Sequence, residues 1–233
     1  MSCDLDGADC DGPAYRLGRG PDPWAWPDWS RAHLDGTFRN RWDDPDGDYR
    51  VLYASSQRLG AFVETLARFR PDLEVVAALA AIDGSDGRDG DPLRAGTVPL
   101  EWVERRRLGV AELAGRYAVI GNARSLRTVR SALAASAVRH HLTEIDAATI
   151  RLTAPRAFTQ QISRLVYGCV DDRNGPFAGI RYASRLGDDF ENWALFEPTA
   201  SGPDPLCAPR DERITGDDPD LLRAAALLGL RLE

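Results

Sequence analysis

The chain contains no lysine; all 29 of its basic residues are arginine. That absence excludes a Schiff-base lysine, a Walker-type phosphate lysine and a lysine general base. Histidine is scarce, with three residues, and none stands in an obvious triad role. The adjacent pair His140–His141 points in different directions on any regular element, so it makes a poor metal-ligand pair. Four scattered cysteines, Cys3, Cys10, Cys169 and Cys207, form no C-x-x-C motif and read as free thiols, with no metal expected. No apolar run approaches the length of a membrane span, and an N-terminus carrying Asp4 and Asp6 is not a signal peptide. A cytoplasmic protein without membrane contact is expected. Positive charge in excess is also missing: the formal net charge of −7 argues against direct nucleic-acid binding. No strand, Gly-rich turn and helix occur in the order of a dinucleotide fingerprint, which disfavours an ordinary nicotinamide oxidoreductase.

What is present is a globular composition, 43% hydrophobic and 28% charged over 233 residues, for which one domain is the better prior. Residues 1–13 are rich in Asp and Gly and read as a flexible tail. The remainder, 14–233, reads as a single domain with a core over about 15–198 and a C-terminal extension, including a helix, over 199–233. The Pro- and Trp-dense stretch holding Trp24, Trp26 and Trp29 is a loop, more a lid or packing surface than a ligand site.

The informative segment runs from Phe38 to Phe69. It opens with Arg39, Arg41 and Trp42 and turns through Asp43–Asp48, where Pro45 and Gly47 punctuate. From Tyr49 to Ala54 the residues alternate as in a strand: Tyr49, Val51 and Tyr53 face one way, Arg50, Leu52 and Ala54 the other. Ser55 and Ser56 offer N-cap hydroxyls to a helix whose apolar stripe is Leu59, Phe62, Val63, Leu66 and Phe69. Glu64 lies away from that stripe. On the helix alone two readings of Glu64 stay open: a solvated carboxylate paired with Arg68, or an acid sharing a cleft with Tyr53 and the loop arginines Arg39 and Arg41.

Further along, Leu73–Ile82 fits a buried strand, with a short helix as the alternative, and Gly84–Pro92 is a surface loop resembling a calcium loop only in composition. Tyr117–Ile120 reads as a strand. Ser125 is expected to cap a helix through about Val138, with Leu126, Val129, Leu133 and Val138 on its apolar side. Ile150–Thr153 is a strand candidate, and Pro155 opens a helix to Val166. Phe177–Arg185 gives a strand ending at Ser184, paired antiparallel with Trp193–Glu197. Ser184 lacks a G-x-S-x-G setting, so it reads as a turn serine or as a site residue at a strand end.

Arg41-Trp42 before a Pro/Gly turn, Tyr53-Ala54-Ser55 with Glu64 eleven residues after the tyrosine, Gly179-Ile-Arg-Tyr-Ala-Ser184 and Trp193-Ala-Leu-Phe-Glu197 together resemble the RES domain family. The resemblance implies an α+β, ADP-ribosyltransferase-like fold with small mixed or antiparallel sheets flanked by helices. It implies a toxin-type enzyme that consumes NAD by hydrolysis or phosphorolysis of the nicotinamide–ribose bond. The alternatives are a mono-ADP-ribosyltransferase and a non-catalytic interaction module. NAD is then the substrate and an Xre-type antitoxin the partner, with a homo-oligomer left open. The family's essential arginine, tyrosine, glutamate and serine would fall on Arg41, Tyr53, Glu64 and Ser184, with Arg39 assisting or replacing Arg41 in binding the dinucleotide. Asn40-Arg41-Trp42-Asp43 stands where the family usually has Gly-Arg-Trp/Phe-Asn.

Overall fold

A computed structural model describes residues 3–72, 74, 77, 96–152, 154–173, 175–200 and 202–233. Most of Leu73–Ile82 and all of the loop at Gly84–Pro92 lie outside the described residues; Glu74 and Ala77, the two described within the first segment, are helical, which corrects the strand reading in favour of the short helix. In chain order the elements are β1 (Gly7–Ala8), β2 (Pro13–Arg19), β3 (Val51–Ser55), α1 (Arg58–Leu66), β4 (Gly96–Val98), α2 (Leu100–Glu104), β5 (Arg106–Leu113) and β6 (Tyr117–Val119). They continue with α3 (Ala123–Arg139), α4 (Ala147–Arg151), α5 (Arg156–Tyr167), β7 (Gly179–Ala183), β8 (Glu191–Phe196), β9 (Leu206–Arg213), α6 (Pro219–Leu228) and β10 (Leu230–Leu232).

Eight strands form one sheet in the order β1-β6-β7-β8-β3-β2-β5-β9, and β10 pairs with β4 in a second. Within the large sheet only β6 and β7 run parallel. The α+β class is the one expected, consistent with an ADP-ribosyltransferase-like fold, although the main sheet is larger than anticipated.

The alternation read in β3 sets the layers. Tyr49 and Val51 pack with Ile180, Phe196 and helices α3 and α5 through Val129, Phe158 and Ile162. Leu52 and Ala54 turn to the opposite face, against Trp193, Leu195, Tyr117 and Trp24. Helix α1 drives Phe62, Val63 and Leu66 into a third cluster with Leu17, Leu108 and, from α6, Leu221, Ala224 and Ala225. Gly60 lets the first turn of α1 approach the end of β3, because a Cβ there would collide with the Ser55 hydroxyl.

One seam in the sheet matters more than the rest. Strand β2 pairs with β5 along its whole length but meets β3 at one pair, Tyr15↔Ser55. A continued antiparallel ladder would bring Leu17 opposite Tyr53. Instead the Tyr53 carbonyl accepts from Arg16 Nη1 at 2.8 Å, while Arg16 Nε donates to the Pro23 carbonyl at 2.8 Å. A guanidinium thus satisfies a buried carbonyl that the ladder leaves open, and the two halves of the sheet part there. Burial lowers the Arg16 pKa to about 10.

Several local expectations are corrected. Residues 3–13 do not hang free: Leu5 is buried, β1 pairs with β6, and Cys3 forms a disulfide with Cys169, so only Cys10 and Cys207 are free thiols. Ser55 and Ser56 do not cap α1, whose N-cap is Gln57. The Ser55 hydroxyl donates to the Glu191 carbonyl and Ser56 bonds the Glu191 carboxylate, bracing the β7–β8 turn. Asn122, not Ser125, caps α3, while the Ser125 hydroxyl accepts from Asp6 N; Val138 faces solvent. The strand expected from Ile150 does not form over the described residues: the Asp146 carboxylate accepts from Thr149 N and starts the short helix α4, which takes in Ile150 and Arg151.

The C-terminal helix closes the back of α1. Asp218 caps α6 and takes both Arg58 Nη1 and Nη2, at 3.0 and 2.6 Å, while Asp220 takes Nη1 at 2.7 Å. Burial alone would raise the Asp218 pKa, but the Arg58 guanidinium and the amides of Asp220 and Leu221 outweigh it and hold it below 3.8. A depressed carboxyl contributes stability above its unfolded value and loses it as pH falls through the folded one. Wild-type protein should therefore lose stability below pH 3.8, and Asp218→Asn should flatten that part of the profile in denaturant melts taken against pH. An unchanged slope would remove this pair from the account.

Candidate active site

A cleft of about 550 Å³ opens at the seam, on the helix-bearing face of the sheet, between α1 and the loop ahead of β3. Its floor is a row of laterally paired residues on four adjacent strands: Tyr182↔Asn192, Asn192↔Ser55 and Ser55↔Tyr15. Residues abreast on neighbouring strands point to the same face, and all four line the cleft.

Glu64 faces this row from α1. Its Oε1 accepts from Ser184 Oγ at 2.5 Å and from Asn192 Nδ2 at 2.7 Å. Ser184, 1% exposed just past β7, is itself fixed by Leu186 N donating to Oγ at 2.9 Å. The Ser184 hydroxyl proton is therefore committed to the carboxylate. The serine positions Glu64, a different use from a free hydroxyl aimed at substrate. Both hydrogen bonds fall on one oxygen, leaving Oε2 outside the clamp.

Arg41 comes from the loop across the cleft. Its guanidinium lies 5.3 Å from the Trp42 ring and 5.7 Å from the Tyr182 ring. Nε and Nη2 are buried without a hydrogen-bond partner. Burial lowers the Arg41 pKa, against the opposing influence of Tyr182 and Glu64; a guanidinium nonetheless stays charged.

The loop that presents Arg41 is held by Asp43, which is 2% exposed. Its carboxylate accepts from Asn40 N at 2.6 Å and from the Tyr53 hydroxyl at 2.8 Å, and that hydroxyl accepts from Trp42 N at 2.9 Å. Behind the loop, Ser163 Oγ donates to the Trp42 carbonyl at 2.6 Å. Burial, then the neighbouring Asp43 charge, pushes the Tyr53 phenol well above 10. With donor and acceptor both used, the Tyr53 hydroxyl is a strut, and its ring is what the cleft meets. Tyr53→Phe should cost about 1–3 kcal/mol of stability through the stranded Asp43 and Trp42 groups, read in a denaturant melt. A variant as stable as wild type would deny the strut.

Glu64, Arg41 and Tyr53 thus line one cleft, and Ser184 joins them through its hydrogen bond to Glu64 without lining the cleft itself. Arg39 does neither: it is exposed, pairs with Asp35 at 3.4 Å, and is absent from the cleft wall. Two residues along an extended loop from Arg41, it is turned outward by the Asp43-held bend.

Sequence reasoning missed much of the lining. Arg16, Arg68, Arg156 and Arg185 join Arg41 in the cleft. None of these five forms an ion pair with a carboxylate among the described residues, although Arg50, Arg58, Arg116, Arg164 and Arg181 elsewhere all do. In a chain of net charge −7, one hollow collects unneutralised positive charge around a single clamped glutamate. Asn192 was missed too; a lone amide inside the apolar run of β8 was its only signal.

No curated protein matches the chain, and no solved structure does. The family model described as the RES domain matches residues 13–215, covering β2 through β9 and every cleft residue named above. By that match the chain belongs to the RES domain family.

Proposed function

We propose that the cleft binds NAD+ and cleaves its nicotinamide–ribose bond. Family membership carries an NAD-related, toxin-type function at the level of the family. The observation that supports the finer reading is the presence of one clamped carboxylate among guanidinium groups that have no carboxylate partner among the described residues, at the open seam of the sheet. A dinucleotide presents the matching pieces: a pyrophosphate for the arginines, and a ribosyl centre that becomes cationic as nicotinamide departs.

In the reaction the C1′–N1 bond breaks with its electron pair going to the pyridinium nitrogen, so nicotinamide leaves neutral and needs no strong general acid. The ribosyl carbon passes through an oxocarbenium-like state. Glu64, its rotamer fixed by Ser184 and Asn192, stabilises that charge from a preorganised position. Arg41 offers two unused N–H groups to phosphate oxygens, and the Tyr53 and Tyr182 rings wall the site. Water attacks C1′ and loses a proton to give ADP-ribose; inorganic phosphate in its place gives the 1″-phosphate. An Xre-type antitoxin remains the proposed partner.

The test is to incubate purified protein with labelled NAD+, with and without phosphate, and to identify products by mass spectrometry. Free ADP-ribose or its 1″-phosphate with nicotinamide is expected. Label transferred to protein in place of free product would favour the mono-ADP-ribosyltransferase reading. Binding of NAD+ without turnover would leave an interaction module, and neither binding nor turnover would end the proposal.

A further inference from the structure

Asn192 has one half of its amide unexplained. Nδ2 donates to Glu64 Oε1 at 2.7 Å, and since a carboxylate only accepts, this fixes which way the amide points. Oδ1 is then a buried acceptor with no hydrogen-bond partner, on a residue 1% exposed in the cleft floor. An acceptor stranded in this way is destabilising unless something supplies a donor. The strand register places it there: Asn192 sits between Tyr182 and Ser55 in the row facing Glu64.

We infer that Asn192 is a second substrate-reading residue, its Oδ1 accepting a hydroxyl of the nicotinamide ribose while Nδ2 holds Glu64. This rests on the NAD-cleaving reading above. The chemistry selects the group. A charged acceptor and a neutral one, joined by a hydrogen bond, match two donors held side by side. The vicinal diol of a ribose presents two O–H groups on adjacent carbons. The diol next to the bond that breaks is the one within reach of Glu64, if Glu64 acts at that centre. Asn192 thereby couples recognition of the sugar to the placement of the acid, and the sugar supplies the donor that the folded protein lacks.

The test is a cycle between residue and substrate. Wild type, Asn192→Ala and the isosteric Asn192→Asp are compared on NAD+ and on analogues lacking the 2′- or the 3′-hydroxyl of the nicotinamide ribose. Analogues with the same changes on the adenosine ribose serve as controls. Intrinsic differences in bond reactivity cancel when each variant is divided by wild type on the same substrate. On NAD+, Asn192→Ala should lower kcat/KM roughly 10- to 100-fold, the scale of deleting a buried polar contact to substrate. On one of the two nicotinamide-ribose analogues that penalty should shrink several-fold, while on the adenosine-ribose analogues it should stay whole. An equal penalty on all substrates would overturn the inference and leave Asn192 as a support for Glu64 alone. Dissociation constants for the same pairs, from calorimetry, read the contact without turnover. A protein that binds NAD+ but does not cleave it would thus defeat the functional reading while the cycle still decides the role of Asn192. Thermal melts separate misfolding of the alanine variant from loss of the contact; Asn192→Asp keeps the Oδ1 acceptor but loses the donor to Glu64, so it should slow turnover yet keep the discrimination between the ribose analogues, and loss of that discrimination would count against the inference.

Discussion

Glu64→Gln should fold as wild type does and consume NAD+ roughly 10²–10⁴-fold more slowly, the scale of removing one preorganised charged group. Glutamine suits the experiment because its carbonyl can still accept from Ser184 Oγ and Asn192 Nδ2, the two donors that Glu64 Oε1 now satisfies. The change therefore removes negative charge and little else. Alanine would strand both donors and mix a stability loss into the rate. The loss should appear in kcat with little change in KM, because the charge acts as the ribosyl cation develops. Product quantitation at saturating NAD+ measures it, with circular dichroism confirming the fold. Undiminished consumption would show that the clamped carboxylate is a structural residue and that the bond breaks by other means.

Arg41→Met is expected to weaken NAD+ binding about 10²-fold, within the range for truncating one partner of a desolvated charge pair. It should leave the unliganded protein as stable as wild type or more so. The two effects have one cause. The Arg41 guanidinium is buried between Trp42 and Tyr182 with Nε and Nη2 lacking hydrogen-bond partners, so the protein without substrate bears a desolvation that the ring contacts offset only in part. Methionine keeps the apolar stem packed against the rings and removes the orphaned donors. Residues whose loss stabilises the fold while abolishing binding are held in place by function. Calorimetric titration with NAD+ and a thermal melt of the same variant decide it. Unchanged affinity, or a marked drop in melting temperature, would mean that Arg41 serves the loop and not the ligand.

The parts legible in the sequence were those set by local periodicity. The stripe on α1, the alternation through β3 and the β7–β8 pair are where the residues put them, because each buries its apolar side within a short span of chain. The resemblance then supplied Arg41, Tyr53 and Glu64, which line the cleft, and Ser184, which holds Glu64 from beside it. What stayed hidden depends on partners far away in the chain. An Asp- and Gly-rich start looked like a tail because neither the Ala118 backbone that β1 pairs with nor Cys169 is near it in sequence. The short helix at Ala147–Arg151 was lost to β-branched residues, Asp146 being a stronger local instruction than the propensity of Thr149 and Ile150. Arg16 and Asn192 were overlooked for a different reason. Each is an ordinary polar residue in a strand, and only the open seam at β2–β3 and the row across β7, β8, β3 and β2 make it part of a site.

The family match ends at residue 215, yet α6 begins at Pro219 and covers the far side of the helix that carries Glu64. A fragment cut to the limits of sequence similarity would expose Phe62, Val63 and Leu66 to water and remove the acids that grip Arg58. The minimal folding unit is therefore longer than the stretch the family model matches, and a fragment trimmed at residue 215 should fold poorly for reasons unrelated to its chemistry.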